Sequence, residues 1–130
     1  IPERQQRDAG ARPIVDAERL AELEDIARDA GFMTELLRGF KSDVESIMQR
    51  IDESAAAGRL DALPDLLHAL KGAAVGVGAR QLAARCEEMP GAGVREPAIV
   101  RAALGELRRS IDATFACLDD YARAQHRISL

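Results

Sequence analysis

The stretch Leu63-Pro64-Asp65-Leu66-Leu67-His68-Ala69-Leu70-Lys71-Gly72-Ala73-Ala74-Val75-Gly76-Val77-Gly78 decides how this chain folds. Wound as a helix at roughly 100° per residue, it puts Leu63, Leu66, Leu67, Leu70, Ala73, Ala74 and Val77 on one side. Asp65, His68, Lys71, Gly72 and Val75 fall on the other, with Asp61 just upstream on the same side. An apolar stripe of this width is the core-facing side of a helix that packs on other helices. A histidine among leucines is often a buried, hydrogen-bonded residue. His68, however, lies nearly opposite the stripe, so the spacing predicts an imidazole in solvent. A ring so placed is open to a partner as a nucleophile.

Lys71 at i+3 and Gly72 at i+4 lie beside the histidine on the helix surface. A glycine inside a helix costs about 0.5 to 1 kcal/mol relative to alanine, and its presence here calls for a reason. A bare position one turn after the ring opens an approach to it. Lys71 puts positive charge where a phosphoryl group on the imidazole would carry negative charge, an attraction of roughly 1 to 4 kcal/mol at ~4 Å, depending on the effective dielectric. Two plainer roles stand beside these: Gly72 as a point of close helix packing, and Lys71 as an ordinary solvated cation. Pro64 fits the first turn, where its missing N–H would be unpaired anyway, with Asp61 or a neighbour capping upstream. Gly76 and Gly78 mark the end of the helix.

Outward from this helix, four more segments carry helical periodicity. The first starts near Asp16 as N-cap, with Glu18 in its opening turn; it carries Leu20, Leu23, Ile26 and Ala27 and ends near Gly31. The second carries Leu37, Phe40, Val44, Ile47 and Ile51, widened by Leu36 and Met48, and runs to Gly58. After the His68 helix comes a short one with Leu82, Cys86 and Met89, then a break at Pro90-Gly91-Ala92-Gly93. The last runs from about Pro97 to Gln125 with a seam of Val100, Leu104, Leu107, Ile111, Phe115, Leu118 and Ala122. The expected fold is all-α: an antiparallel up-down four-helix bundle with an additional short N-terminal helix.

At 130 residues the chain makes one domain with a modest core. Aromatic residues are only 3% and there is no Trp, so that core must be aliphatic, which favours helices packing on helices. A net charge of −4, with no basic block interleaved with aromatics, points away from nucleic acid. No apolar stretch approaches the ~20 residues that span a bilayer, and there is no signal peptide. Cys86 and Cys117 read as reduced core residues, although spacing alone leaves a disulfide open. Residues 1–13, with two prolines, three arginines and no apolar periodicity, read as an interdomain linker, and 14–130 as the domain. The chain then suits a module excised from a longer protein, as its last domain. His126 reads as a frayed, exposed terminal residue, and no ligand spacing supports a metal site shared with His68.

The segment from His68 through Gly78, followed by Leu82, Cys86 and Met89, resembles the histidine-containing phosphotransfer (HPt) domain of bacterial phosphorelays. The family's pattern is matched at His68, Leu70, Lys71, Gly72, Gly78, Leu82 and Cys86, with Met89 in place of a leucine. It departs at Pro90, where the family often has Glu or Gln near the active histidine. That departure removes any polar contact from the position and predicts an early end to the short helix.

The resemblance implies that His68 attacks the aspartyl phosphate of a receiver domain through its outward ring nitrogen and later passes the phosphoryl group to a second receiver. Lys71 would then stabilise the phosphoryl charge and Gly72 give access to the ring. Val75, an apolar β-branched residue on the face of the histidine, is a candidate docking contact for the receiver, against the plainer reading of an isolated surface residue. Asp65 and Asp61 share that face, where stabilising the helix dipole is their first role and a contact with the partner the second. No Gly-rich phosphate loop, Mg²⁺ carboxylate cluster or nucleophile–base set occurs in the sequence. Such a chain can carry a phosphoryl group but is not expected to bind or activate ATP; the resemblance implies that it needs no cofactor of its own and that Mg²⁺ enters with the partner receiver. The implied parent is a hybrid sensor histidine kinase of a bacterium of high GC content, one whose input could be a quorum-type signal. The domain would be a monomeric cytoplasmic carrier, tethered to the inner membrane only through that parent. The competing reading is a helical scaffold that binds a receiver or another partner through the His68 face without chemistry. An enzyme using His68 as general base, with no companion acid or nucleophile, ranks last.

Overall fold

The computed structural model describes residues 14–27, 29–89 and 96–130. The expected linker over 1–13 and the break at Pro90-Gly91-Ala92-Gly93 lie outside them. Among the described residues, five helices follow in order: α1 (Ala17–Ala27), α2 (Ala30–Ala56), α3 (Leu63–Val77), α4 (Arg80–Glu88) and α5 (Pro97–His126), with a 3₁₀ turn at Leu60–Ala62 leading into α3. Helices α2, α3, α4 and α5 each pack on the next, and α5 closes on α2; α1 lies against α2 and α3. This is the four-helix bundle with an added N-terminal helix that the periodicity predicts.

Each helix boundary has a local cause. Asp16 Oδ1 accepts from the Glu18 N–H at 3.0 Å, just ahead of α1. Helix α1 does not run to Gly31. Asp29, in extended backbone, accepts from the Gly31 N–H at 2.8 Å and caps α2, so Gly31 sits in the first turn of the next helix. The α2 end unwinds through Gly58 at φ +72°, with the Arg59 N–H bonded back to the Ser54 carbonyl at 2.8 Å. The N-cap position of α3 falls to Ala62, the neighbour of Asp61; Ala62 makes no side-chain cap bond, because the 3₁₀ turn feeds directly into the helix. Pro64 takes its place in the first turn. Gly78 stops α3 at φ +75°. A Cβ there would come within 2.8 Å of the Arg19 Cβ, so the position needs glycine both for its backbone and for the close approach of α1. Helix α4 ends at Glu88, with Met89 already extended, which is the early stop that the following proline predicts.

The core is aliphatic. Leu37, Val44, Ile51, Leu70, Leu82, Leu107 and Leu118 are fully buried, with Met33 added at the start of α2. Phe40 and Phe115 meet edge to face at 6.2 Å. Ile26, expected in the α1 stripe, is 70% exposed; Leu20 is buried, Leu23 and Ala27 are half-buried, and α1 rests on the bundle by that narrower face. Cys86 is buried and Cys117 half-buried, and both are free thiols. No described helix is long and apolar enough to cross a membrane.

Candidate functional site

The burial pattern of α3 fixes the direction of its histidine. Leu66, Leu70, Ala74 and Val77 are buried, and the stripe they form turns the opposite side of the helix outward. His68, Gly72, Val75 and Gly76 are all exposed on that side, Val75 at 57%. Asp65 and Asp61 are exposed towards its N-terminal end. Three clefts lined by α2, α5 and neighbouring residues lie elsewhere, and none has His68 on its walls.

Gly72 settles one of the two plainer roles left open by its spacing. A Cβ built there meets nothing within 4 Å, so no helix packs against it, and close packing is not why the glycine is present. The same is true of Gly76, one turn further on. From His68 towards the C-terminal end of α3, the helix surface is thus bare at two successive turns.

Lys71 is not a freely solvated cation. It is half-buried, and its ammonium pairs with the carboxylate of Glu87 on α4. The α3–α4 hairpin explains the pairing: Lys71 and Glu87 stand eight residues either side of Ala79 at the turn, and residues equidistant from the turn of an antiparallel hairpin are level. No helical spacing within α3 marks Glu87; the signal that points to it is this symmetry about the Gly78-Ala79 turn. Cys86 lies in the core beneath the pair. Burial pushes its thiol up to about 11, with Glu87 adding to the rise and Lys71 opposing it.

The far end of α3 is held by α1. The Arg19 Nε donates to the Gly76 carbonyl at 3.2 Å, the Asp16 N–H to the Gly78 carbonyl at 2.8 Å, and Arg80 pairs with Asp16 at 2.7 Å. Histidine 126 departs from its expected frayed state. Its side chain is 10% exposed, and its Nε2 lies 2.5 Å from Glu24 Oε1, the same oxygen that accepts from the Tyr121 hydroxyl at 2.5 Å. This cluster pins the last turn of α5 to α1, about as far along the chain as two elements can be.

A helical bundle that presents one imidazole on an outward helix face, with a lysine beside it and bare backbone next to it, has the form expected of a covalent group carrier, a kind of protein that displays its nucleophile on the surface. The chain belongs to the Hpt domain family, whose family model matches residues 35–117. Its role is histidine phosphotransfer within a phosphorelay, and the partners of such domains are receiver domains. Among solved structures, the fold is similar to that of histidine-containing phosphotransfer protein B from Pseudomonas aeruginosa. The TM-score is 0.72 and the identity 22%, over 89% of this chain and 100% of that one. No curated protein matches the sequence.

Proposed function

We propose that His68 is the residue that carries the phosphoryl group, taking it from a receiver-domain aspartate and giving it to the receiver of a response regulator. The observation that carries this reading is the exposure of His68 on α3 with Gly72 bare beside it, inside the segment that the family model covers. In the forward step a ring nitrogen lone pair attacks phosphorus, a P–N bond forms, and the P–O bond to the aspartate breaks. The carboxylate leaves with the electron pair, and the N-phosphoimidazolium can release its remaining N–H proton to water. Positioning and charge supply most of the catalysis in such a transfer. Mg²⁺ would enter with the receiver. Lys71 supplies charge on the carrier side, and Val75, Asp65 and Asp61 form the rim that the receiver meets. The carrier acts as a monomer in the cytoplasm, as part of a hybrid sensor kinase.

The test is transfer of label from a receiver domain phosphorylated with radiolabelled acetyl phosphate to the wild-type chain and to His68→Gln. The expected result is acid-labile, base-stable label on the wild type alone. Label that persists on His68→Gln would move the site elsewhere. Binding of the receiver with no label on either protein would favour the scaffold reading.

A further inference from the structure

Glu87 is part of no role assigned so far, yet it holds the one cation nearest to the histidine on its own helix. We infer that Glu87 is a positioning residue that competes with the phosphoryl group for Lys71, so that phosphorylation of His68 moves the Lys71 ammonium from one partner to the other. The inference rests on His68 being the phosphoryl carrier.

The argument is one of reach and charge. Side chains at i and i+3 on a helix are neighbours, about 5–6 Å apart at Cβ, and the four-carbon stem of lysine lets its ammonium swing between points on either side of its own backbone position. In the unphosphorylated chain the ammonium lies on Glu87, across the α3–α4 groove. Lys71 and Glu87 are 39% and 59% exposed, so the pair is held in a high-dielectric setting where exchange of partners is cheap. A phosphoryl group on the imidazole brings roughly −2 charge, by analogy with other phosphorylated side chains, against −1 on the carboxylate. At similar distance the Coulomb attraction is about twice as large, so the ammonium turns to the phosphoryl group. Glu87 opposes that turn. It thereby lowers the affinity of His68 for the phosphoryl group and keeps the group easy to pass on.

Removing the competitor has a defined consequence. Glu87→Gln keeps the size and polarity of the side chain but not its charge. It is expected to shift the equilibrium of transfer between a phosphorylated receiver and His68 towards phosphohistidine by about two- to five-fold, the range that an exposed ion pair allows. Because Glu87 acts through Lys71, the same substitution in a Lys71→Ala background should shift the equilibrium far less. Glu88→Gln, which alters a carboxylate paired with Arg85 on the same helix, should leave it unchanged. Glu87→Asp should return most of the wild-type value.

The equilibrium is read as the label distribution at completion with a receiver domain charged from radiolabelled acetyl phosphate, and circular dichroism confirms that each variant is folded. A Glu87→Gln equilibrium equal to the wild type overturns the inference. So does a shift towards the receiver, which would make Glu87 a prop for Lys71. An undiminished shift in the Lys71→Ala background also overturns it, since Glu87 would then act by direct repulsion. A second measurement needs no variant: on phosphorylation of the wild type with phosphoramidate, the Glu87 carboxyl and Lys71 Cε resonances must both move, and their staying still rejects the exchange. Failure of the underlying reading looks different, because it shows as unlabelled wild type or labelled His68→Gln whatever residue stands at 87.

Discussion

At Gly72 the helix surface is empty above the backbone, so the residue has an intrinsic helical cost with no packing contact to offset it. Alanine there should raise the stability of the fold by about 0.5 to 1 kcal/mol and slow transfer from a receiver. The two effects are checked by thermal melts and by labelling on the same variant, and a glycine kept for packing would give loss of stability instead. The site was readable at this scale wherever a single helix decides the matter: the positions of His68, Gly72 and Val75 on one face follow from a 3.6-residue period alone. Glu87 was not read, because its relation to Lys71 runs between helices, and depends on where the chain turns. His126 was misread for a similar reason. A terminal histidine looks frayed until its partner, Glu24, is known, and that partner is contributed by the opposite end of the chain.

The elements show which local signals outweigh others. Gly31 reads locally as the stop of the first helix, but the aspartate two residues earlier is the stronger signal, since its carboxylate caps the amide of Gly31 and starts α2. Pro64 and the early end of α4 were readable because proline acts on the backbone directly, whatever surrounds it. Gly78 combines both kinds of information. Its left-handed backbone is a local requirement, and the Arg19 Cβ that would stand 2.8 Å from an added methyl is a tertiary one. Gly78→Ala should therefore cost more than the 1 to 2 kcal/mol or so that a left-handed alanine alone would cost. Chemical denaturation measures the loss. Arg19→Gly by itself loses the bond to the Gly76 carbonyl and carries a helical cost, so the steric part is read as the smaller penalty of Gly78→Ala in an Arg19→Gly background than in the wild type.

Across the whole molecule, the cluster of Glu24, Tyr121 and His126 ties the two ends of the described chain together. Burial acts to raise the Glu24 carboxyl, but the hydrogen bonds from Tyr121 and His126 outweigh it and hold the group below its ordinary value of 4.5. A carboxyl whose pKa is depressed by folding contributes stability above its unfolded pKa and loses it as pH falls through the folded value. Stability should thus fall on acidification below about pH 4.5, and Glu24→Gln should flatten that part of the profile in melts taken across the range. Tyr121 is shifted the other way, by burial and then by Glu24, and Tyr121→Phe should cost about 1 kcal/mol at neutral pH. The number of helices and the composition of the core were legible from periodicity, whereas this closure was not, because no local pattern encodes contacts between residues a hundred positions apart. One feature of the assembled bundle also governs traffic: the only imidazole on the outward face of α3 offers a single berth. With His68 as the carrier, as proposed, donor and acceptor receivers would have to take turns there, so an excess of either should block the other, and throughput should rise to a maximum and then decline as receiver concentration increases.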